Sequence, residues 1–399
     1  MRPLEGIKIV DFTVMHGGPL ATRLLADFGA EVIKIEAVKG ERGRNLEPLD
    51  ANGNSGYFAY LNRGKKSVAV DISTAEGKEI VKKLIKGSNA VLENHPAHTM
   101  EELGLGYEAV KAINPGIVYA SLSGYGHTGP MKDMAALDVQ IQSMSGISFI
   151  SGYPEAPVRS GSELGCHVGG TYLAMATMIA IIHAEATGEG QYIDISMVDS
   201  VLSMIEGAPI EYLIDGSERI RTGNSYPSIC PYDTFVTKDG NISVGVSTDR
   251  QWGQFCHALG LDELADDPRY ATNLERGVNY WTGLRDMLQE KIGQMSRFEI
   301  EALMNENKIP CGICYEAEEA MESVTVKERN MLIELEDHTM GKILMPGLGI
   351  KMDESEQPLT GAPRLGENTA EYLKALGYSD EAVAKLAKDG IIGLDKKEA

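Results

Sequence analysis

The order of strands and helices at the start of the chain limits its fold most strongly. Residues 7–12 are an apolar run that predicts a buried strand, residues 19–28 predict a helix, and residues 31–36 predict a second strand. A strand, a helix and a strand in this order make a parallel pair with a right-handed crossover. The connecting loop, residues 13–18, is then expected at the carboxyl end of the first strand, where open α/β sheets bind ligands.

The alternation continues beyond this first unit. Residues 37–62 are polar, glycine-rich and too long for a plain connection, so we predict a functional loop or a crossing segment. Residues 67–72 predict a strand, and a capping box that begins at Ser73 predicts the following helix. Further strands are predicted at residues 90–93 and 117–121. We therefore expect residues 1–214 to form a doubly wound, largely parallel α/β domain.

The pattern changes near residue 215. Residues 232–237 and 242–246 are short alternating runs joined by a turn that contains Asp-Gly, which predicts a hairpin. Helical segments follow the hairpin, so residues 215–325 are expected to form a smaller α+β domain. Residues 326–399 are expected to return to the large domain.

The composition favours a soluble enzyme over a nucleic-acid or membrane protein. The chain has 399 residues, of which 43% are hydrophobic, enough for more than one core. Its formal charge of −21 argues against nucleic-acid and anionic-membrane partners. An anionic ligand would need a local cluster of cations, and Arg63, Lys65 and Lys66 form the densest one. The N-terminus lacks a signal pattern, and the longest apolar run, residues 173–182, is too short to span a bilayer, so we expect a cytoplasmic protein.

The cysteines indicate neither a disulfide framework nor a metal site. Five cysteines are an odd number spread thinly through a long chain, which fits a reducing compartment. Cys311 and Cys314 have CxxC spacing, but one pair without a second pair or histidines at ligand spacing is a weak zinc signal. We place this pair in a loop, interpret it as packing, and expect no metal.

The chemistry is expected at the start of the apolar stretch at residues 165–183. Its second half is apolar on nearly every face, which predicts a helix buried in a large core. Its first turn contains Gly165, Cys166 and His167, which are small, polar or reactive and should face a cavity or a ligand. A helix N-terminus lowers the pKa of a thiol, so Cys166 is a candidate nucleophile, although most free cysteines are buried hydrophobes.

Several segments of the chain resemble family III CoA-transferases. They are Gly165, Gly169-Gly170, Thr187-Gly188-Glu189-Gly190-Gln191, residues 193–199 and residues 363–369. The resemblance implies acyl-CoA and a small carboxylic acid as substrates, no permanently bound cofactor, and an interlocked homodimer. It is closest to 2-hydroxyisocaproate and phenyllactate CoA-transferases, which implies a branched or aromatic 2-hydroxyacid and a role in amino-acid fermentation.

The resemblance also implies the site residues. The family nucleophile is an aspartate after the glycine that matches Gly165, and this chain has Cys166 there. Related transferases place an acidic residue near the nucleophile, which matches Asp138, although a helix-surface carboxylate explains Asp138 equally well. The positions that match CoA-binding segments are His16, Gly17, Val70, Asp71, Ile72, Ser73, Asn94, His95, Pro96, Ala135 and Leu137. The racemase branch has a histidine base where this chain has Leu137, which argues against a racemase.

Cys166 cannot complete the reaction cycle that the resemblance implies. Each covalent step of that cycle uses a carbonyl that belongs to the enzyme, and a cysteine side chain has none. Three explanations remain: a loss of the nucleophile in an otherwise competent site, a thiol acyltransferase or thioesterase that uses Cys166 with His167, or another carboxylate that takes over. We favour the first because the surrounding residues keep the transferase pattern. A CoA-binding protein without catalysis is the alternative that is not an enzyme.

Overall fold

The computed structural model describes residues 1–226, 228–357 and 359–395, and these form two compact units. The large unit comprises Met1–Ile147, Ser160–Ile210 and the residues from Glu328 on; the small unit comprises Ser148–Arg159 and Glu211–Lys327. The predicted domain limits therefore need correction, because residues 148–159 and 211–214 belong to the small unit. Residues 148–159 belong to the small unit in part because of Arg221. Its guanidinium donates to the backbone carbonyls of Phe149, Tyr153 and Pro154 at 2.9 to 3.1 Å.

The strands are short and lie mostly in the first half of the chain. In chain order they are β1 Lys8–Asp11, β2 Glu31–Glu36, β3 Lys66–Val70, β4 Ala90–Glu93, β5 Val118–Ser123, β6 Gly152–Tyr153, β7 Ala156–Pro157, β8 Tyr192–Ser196, β9 Tyr232–Thr237, β10 Gly240–Gly245, β11 Cys311–Ile313, β12 Leu332–Asp337, β13 Gly341–Pro346 and β14 Ile392–Gly393. The strands predicted at the N-terminus and the predicted hairpin, β9–β10, are confirmed.

The helices range from single turns to a 24-residue helix, α8. In chain order they are α1 Gly17–Asp27, α2 Gly56–Asn62, α3 Ala75–Lys86, α4 Thr99–Glu102, α5 Tyr107–Ile113, α6 Asp138–Met144, α7 Ile147–Ile150, α8 Leu164–Thr187, α9 Met197–Met204, α10 Gly207–Asp215, α11 Asp249–Leu259, α12 Asp262–Ala265, α13 Asn273–Asn279, α14 Leu284–Ile292, α15 Arg297–Glu306, α16 Ala317–Glu322, α17 Val324–Glu328, α18 Thr369–Ala375 and α19 Asp380–Lys388. Short 3-10 helices occur at Arg42–Asn45, Pro268–Tyr270 and Tyr280–Thr282.

The large unit is built on a seven-stranded sheet in the order β14-β3-β2-β1-β4-β5-β8. All neighbouring strands are parallel except β14, which is antiparallel to β3. Successive residues of each strand face opposite sides, so Ile9 and Val10 belong to different cores. Helices α1 and α8 cover one side, and α3, α5, α18 and α19 cover the other. The predicted doubly wound α/β fold is therefore confirmed.

The predicted basic cluster is buried inside the large unit. Lys65 Nζ lies 3.1 Å from Asp11 Oδ2, and both side chains are fully buried. The Arg63 guanidinium donates to both carboxylate oxygens of Asp27 at 2.9 and 2.8 Å. Only Lys66 of the three is exposed. Arg63 and Lys65 are therefore neither solvated loop charges nor free to meet ligand phosphates, since they neutralise buried carboxylates that are distant in sequence.

Two local predictions also need correction. The N-cap of α3 is Thr74, whose Oγ1 accepts a hydrogen bond from the Gly77 amide at 3.0 Å, whereas the Ser73 hydroxyl donates to Asp71 Oδ1 at 2.6 Å. The CxxC pair begins on a strand, because β11 pairs with β10, and does not lie in a loop as predicted.

Helix α8 is not buried on every face as predicted. Met175, Ile179 and Ile182 are 51, 60 and 63% exposed, whereas Leu173 and Ile181 lie in the core that α8 shares with α1. Judged by length and composition alone, α8 could cross a membrane, and it is longer than the apolar run used in the sequence-based argument. That is a weak indication, because the core helix of a soluble protein passes the same test.

The small unit has its own core beneath the three-stranded sheet β11-β10-β9. Trp252 and Phe255 of α11, Leu284 of α14 and Phe235 of β9 pack together there. This arrangement of helices against an antiparallel sheet is the predicted α+β type.

Candidate active site

Glycines bring the loop after β1 against the first turn of α8. A Cβ on Gly170 would lie 2.4 Å from the carbonyl oxygen of Gly17, closer than any side chain tolerates. A Cβ on Gly17 would lie 3.1 Å from the carbonyl oxygen of Cys166. The close approach of α1 and α8 therefore requires glycine at Gly170, and it places His16 and Gly17 beside Cys166.

Asp138, the first residue of α6, lies at the same helix terminus. Its Oδ1 accepts a hydrogen bond from the backbone amide of Cys166 at 3.1 Å, and its Oδ2 accepts one from Gln142 Nε2 at 2.6 Å. Gln142 is fully buried, and its Oε1 accepts from the Ser160 amide at 2.8 Å. Peptide dipoles favour a negative charge at a helix N-terminus, so this setting stabilises the Asp138 carboxylate.

The same surroundings disfavour a thiolate at Cys166. Burial raises the pKa of the Cys166 thiol to about 12, and the carboxylates of Asp138 and Glu163 add to the shift. The expectation that the helix terminus lowers this pKa is therefore wrong, because two carboxylates and desolvation outweigh the helix dipole. At neutral pH the side chain is an uncharged thiol, which removes the main reason for a thiol nucleophile.

Two histidines and a tyrosine form a hydrogen-bonded group next to Cys166. His16 Nε2 lies 3.2 Å from His167 Nε2, and the Tyr57 hydroxyl contacts His16 Nδ1. Burial, together with the nearby His167, lowers the pKa of His16 to about 4, so His16 is neutral at pH 7. His16 therefore joins Tyr57 and His167 as a neutral ring.

Asn94 and His95 hold the loop after β1 in place. Asn94 Oδ1 accepts from the Val14 amide at 2.7 Å, and Asn94 Nδ2 donates to the Val14 carbonyl at 2.9 Å. A ring nitrogen of His95, Nε2, lies 3.0 Å from the carbonyl oxygen of Phe12. Both side chains follow β4, the neighbour of β1, so they tie together two adjacent loops at the carboxyl edge of the sheet.

The remaining predicted CoA contacts lie along the same edge. Val70 ends β3, and Asp71, Ile72 and Ser73 form the loop that follows it. Strand β3 is two places from β1, so the axes of these two strands lie roughly 10 Å apart. Pro96, Ala135 and Leu137 are exposed, and Leu137 immediately precedes α6. The structure therefore groups His16, Gly17, Asp138 and Cys166 closely and spreads the other positions along the edge.

Tyr57 and Gln142 were missed by the sequence analysis. Tyr57 lies on α2, within the polar stretch at residues 37–62 that we predicted to be functional, and that stretch was its only sequence signal. Gln142 is one helical turn after Asp138, so its i, i+4 spacing could have indicated the hydrogen bond between them.

Comparisons with known proteins show the family of this chain. A family model described as CoA-transferase family III matches residues 4–369. The chain is 37% identical over 402 residues to an acyl-CoA transferase of Fusarium pseudograminearum, covering 98% of this chain and 88% of that protein. It is 33% identical over 385 residues to a succinate–glutarate CoA-transferase of Agrobacterium fabrum, covering 94% and 96% of the two chains. A crystal structure of a CaiB/BaiF family protein from Brucella suis matches with a TM-score of 0.86 and 33% identity, covering 94% and 99%.

The doubly wound sheet and the loops gathered at the N-terminus of α8 define the class as an α/β enzyme. The chain belongs to CoA-transferase family III. Its substrates are CoA thioesters and carboxylic acids, and CoA is a substrate rather than a resident cofactor.

Proposed function

We propose that this protein transfers CoA between an acyl-CoA and a free carboxylic acid, and that Cys166 makes this transfer slow. The proposal is carried by one observation: the residues around position 166 keep the transferase pattern, while the side chain at that position has no carbonyl. Gly165 and Gly170 make close contacts that only glycine allows, and Asp138 accepts a hydrogen bond from the Cys166 amide. The architecture is therefore that of a transferase with one altered group.

CoA is proposed to bind along the carboxyl edge of the sheet. The loops at residues 13–18, 70–73 and 94–96 follow β1, β3 and β4, which end at this edge. The thioester end would point to position 166 at the terminus of α8. Because the Asn94 and His95 side chains bond to the loop after β1, we expect them to act by holding that loop.

The acid is proposed to be a dicarboxylate. The Agrobacterium fabrum relative is a succinate–glutarate CoA-transferase. This similarity favours a dicarboxylate over the branched or aromatic 2-hydroxyacid that we expected. A role in amino-acid fermentation depended on that 2-hydroxyacid. A panel of succinate, glutarate, malate, 2-hydroxyisocaproate and phenyllactate would separate the classes, since malate carries both a second carboxylate and a 2-hydroxyl group.

The test is to supply the missing carboxylate. Cys166→Asp should raise the rate of CoA transfer at least about 100-fold, because a carboxylate nucleophile at position 166 recovers several kcal/mol over the slow route of the cysteine form, and each ~1.4 kcal/mol is tenfold. Cys166→Asn is the matched control, since it has similar size but is a poor nucleophile. Kinetics should be ping-pong, and hydroxylamine should release the intermediate. A cysteine form that is faster than the aspartate form would contradict the proposal.

A CoA-binding protein without catalysis is the second candidate, favoured by the high pKa of Cys166. It predicts tight CoA binding by calorimetry with no transfer in either the cysteine or the aspartate form. We also propose that the protein is a cytoplasmic homodimer, as the resemblance implies.

A further inference from the structure

We infer that Asp138 is the residue to which CoA becomes covalently attached in the Cys166 form of this protein. The inference rests on the proposed function and names the nucleophile that remains when position 166 carries a thiol. It concerns a residue on α6 that is distant in sequence from the first turn of α8.

The geometry brings the Asp138 carboxylate to the correct place. Oδ1 lies 3.1 Å from the Cys166 amide nitrogen, and a Cβ on Gly165 would come within 3.0 Å of the same oxygen. A carboxylate on residue 166 would leave the helix at this turn. The carboxyl carbon of Asp138 is therefore in the same part of the site, next to the loop that holds His16 and Gly17.

The carboxylate is oriented and not fully enclosed. Gln142 holds Oδ2 at 2.6 Å and is itself fixed by Ser160, so it acts as a positioning residue. Asp138 is half-buried, and the preceding residue, Leu137, is 71% exposed. Part of the Asp138 residue therefore remains exposed to solvent.

The cysteine increases the availability of Asp138. With a thiol at position 166, no carboxylate of residue 166 competes with Asp138 for the acyl group. Glu163 is the other nearby carboxylate, but its side chain is exposed and makes no capping hydrogen bond.

The proposed transfer through Asp138 needs only the acyl-CoA and the acceptor acid as reactants. An Asp138 oxygen attacks the acyl carbon of the thioester, the carbon–sulfur bond breaks, and CoA leaves as a thiolate, which gives a mixed anhydride. The thiolate attacks Cγ of Asp138, and the donor acid leaves with one oxygen that belonged to Asp138. The acceptor carboxylate then attacks the same Cγ and displaces the thiolate. Attack of the thiolate on the acceptor carbonyl releases the new acyl-CoA and leaves one acceptor oxygen in Asp138.

This oxygen transfer provides a direct test. The unmodified protein is incubated with succinyl-CoA and glutarate labelled with ¹⁸O in both carboxylates, then digested and analysed by tandem mass spectrometry. We expect ¹⁸O in Asp138 of the peptide that contains it. In Cys166→Asp the label should move to residue 166. No label at Asp138 in the unmodified protein, or a label at Glu163 instead, would overturn the inference.

An isosteric variant provides the second measurement. Asp138→Asn should reduce transfer by the cysteine form to less than about one hundredth, while calorimetry gives a Kd for CoA within about twofold of the original. Transfer that is unchanged in Asp138→Asn would contradict the inference. If Cys166→Asp transfers CoA but the unmodified protein never labels Asp138, the proposed function stands and the inference fails. If neither protein transfers CoA, the proposed function fails.

Discussion

Cys166 shows how strongly the surroundings of one residue determine its chemistry. A thiol at a helix N-terminus is usually acidified, yet here burial and two nearby carboxylates raise its pKa to about 12. The same carboxylates fit a site in which the nucleophile is a carboxylate oxygen and not a sulfur atom. The electrostatics of the site therefore favour the transferase interpretation over the thiol-enzyme alternative.

The raised pKa of Cys166 predicts slow alkylation. With a pKa near 12, only about one thiol in 10⁵ is ionised at pH 7, so iodoacetamide should modify Cys166 very slowly, and the rate should rise with pH up to about 12. Exposed Cys314 serves as the internal reference and should react much faster at pH 7. The measurement is the rate of label uptake in each peptide by mass spectrometry. Equal rates for the two cysteines would contradict the prediction.

The sequence indicated where this chemistry lies but not how its residues are paired. Cys166, Asp138 and His16 were predicted as a site from the resemblance, and they do lie together. Arg63 and Lys65 were misassigned because their partners, Asp27 and Asp11, are 36 and 54 positions away. Sequence patterns report spacing within one element, whereas burial of an ion pair depends on the packing of several.

At the scale of elements, the contact between α1 and α8 organises the site. Its glycines let two helices approach until backbone meets backbone, and the loop after β1 then reaches Cys166. This contact could be anticipated only in part. The glycine pair in α8 was recognised, but its partner at Gly17 was not, because the distance between two elements is set by tertiary packing.

Gly170→Ala should destabilise the large unit. The new Cβ would lie 2.4 Å from the Gly17 carbonyl, and because backbone cannot rotate away as a side chain can, α1 and α8 must separate. Overpacking of this kind costs about 1–3 kcal/mol, which urea denaturation can measure. Gly161→Ala is the matched control, since a Cβ there meets nothing within 4 Å. Equal losses of stability in the two variants would show that the contact is not tight.

The strands were easier to predict than the exposed side of α8. β2 and β4 occupy the predicted residues because short apolar runs between turns leave few alternatives. A helix that is apolar all round has no polar face to mark its orientation. The sequence therefore could not indicate that Met175, Ile179 and Ile182 face outward.

At the scale of the whole molecule, the chain is acidic, and several cations of the large unit are held in internal ion pairs. Lys34, Arg63 and Lys65 are among its few cations, and their side chains are fully buried against carboxylates. These pairs bury as many carboxylates as cations, so the remaining residues still carry the net charge of −21. An anionic CoA thioester must then depend on backbone amides and helix termini at the carboxyl edge of the sheet.

The outward face of α8 also bears on assembly. Met175, Ile179 and Ile182 are spaced i, i+4 and i+7, so they form one apolar stripe on a single chain, and Leu202 and Met204 of α9 are also exposed. Contiguous apolar surface of this kind commonly marks an interface. The stripe lies in the large unit, on the helix whose other face packs against α1.

We predict a dimer that survives dilution, with this stripe covered. Sedimentation at nanomolar protein should give twice the mass of one chain, because an interlocked dimer separates only when its chains unfold. Ile179→Asp should lower the stability of the dimer or prevent its assembly, since a charge would be buried without a partner. Ile179→Leu is the matched control and should leave the dimer intact. A folded monomer at nanomolar concentration, or a dimer equally stable with isoleucine and aspartate at position 179, would contradict the assignment of α8 to the interface.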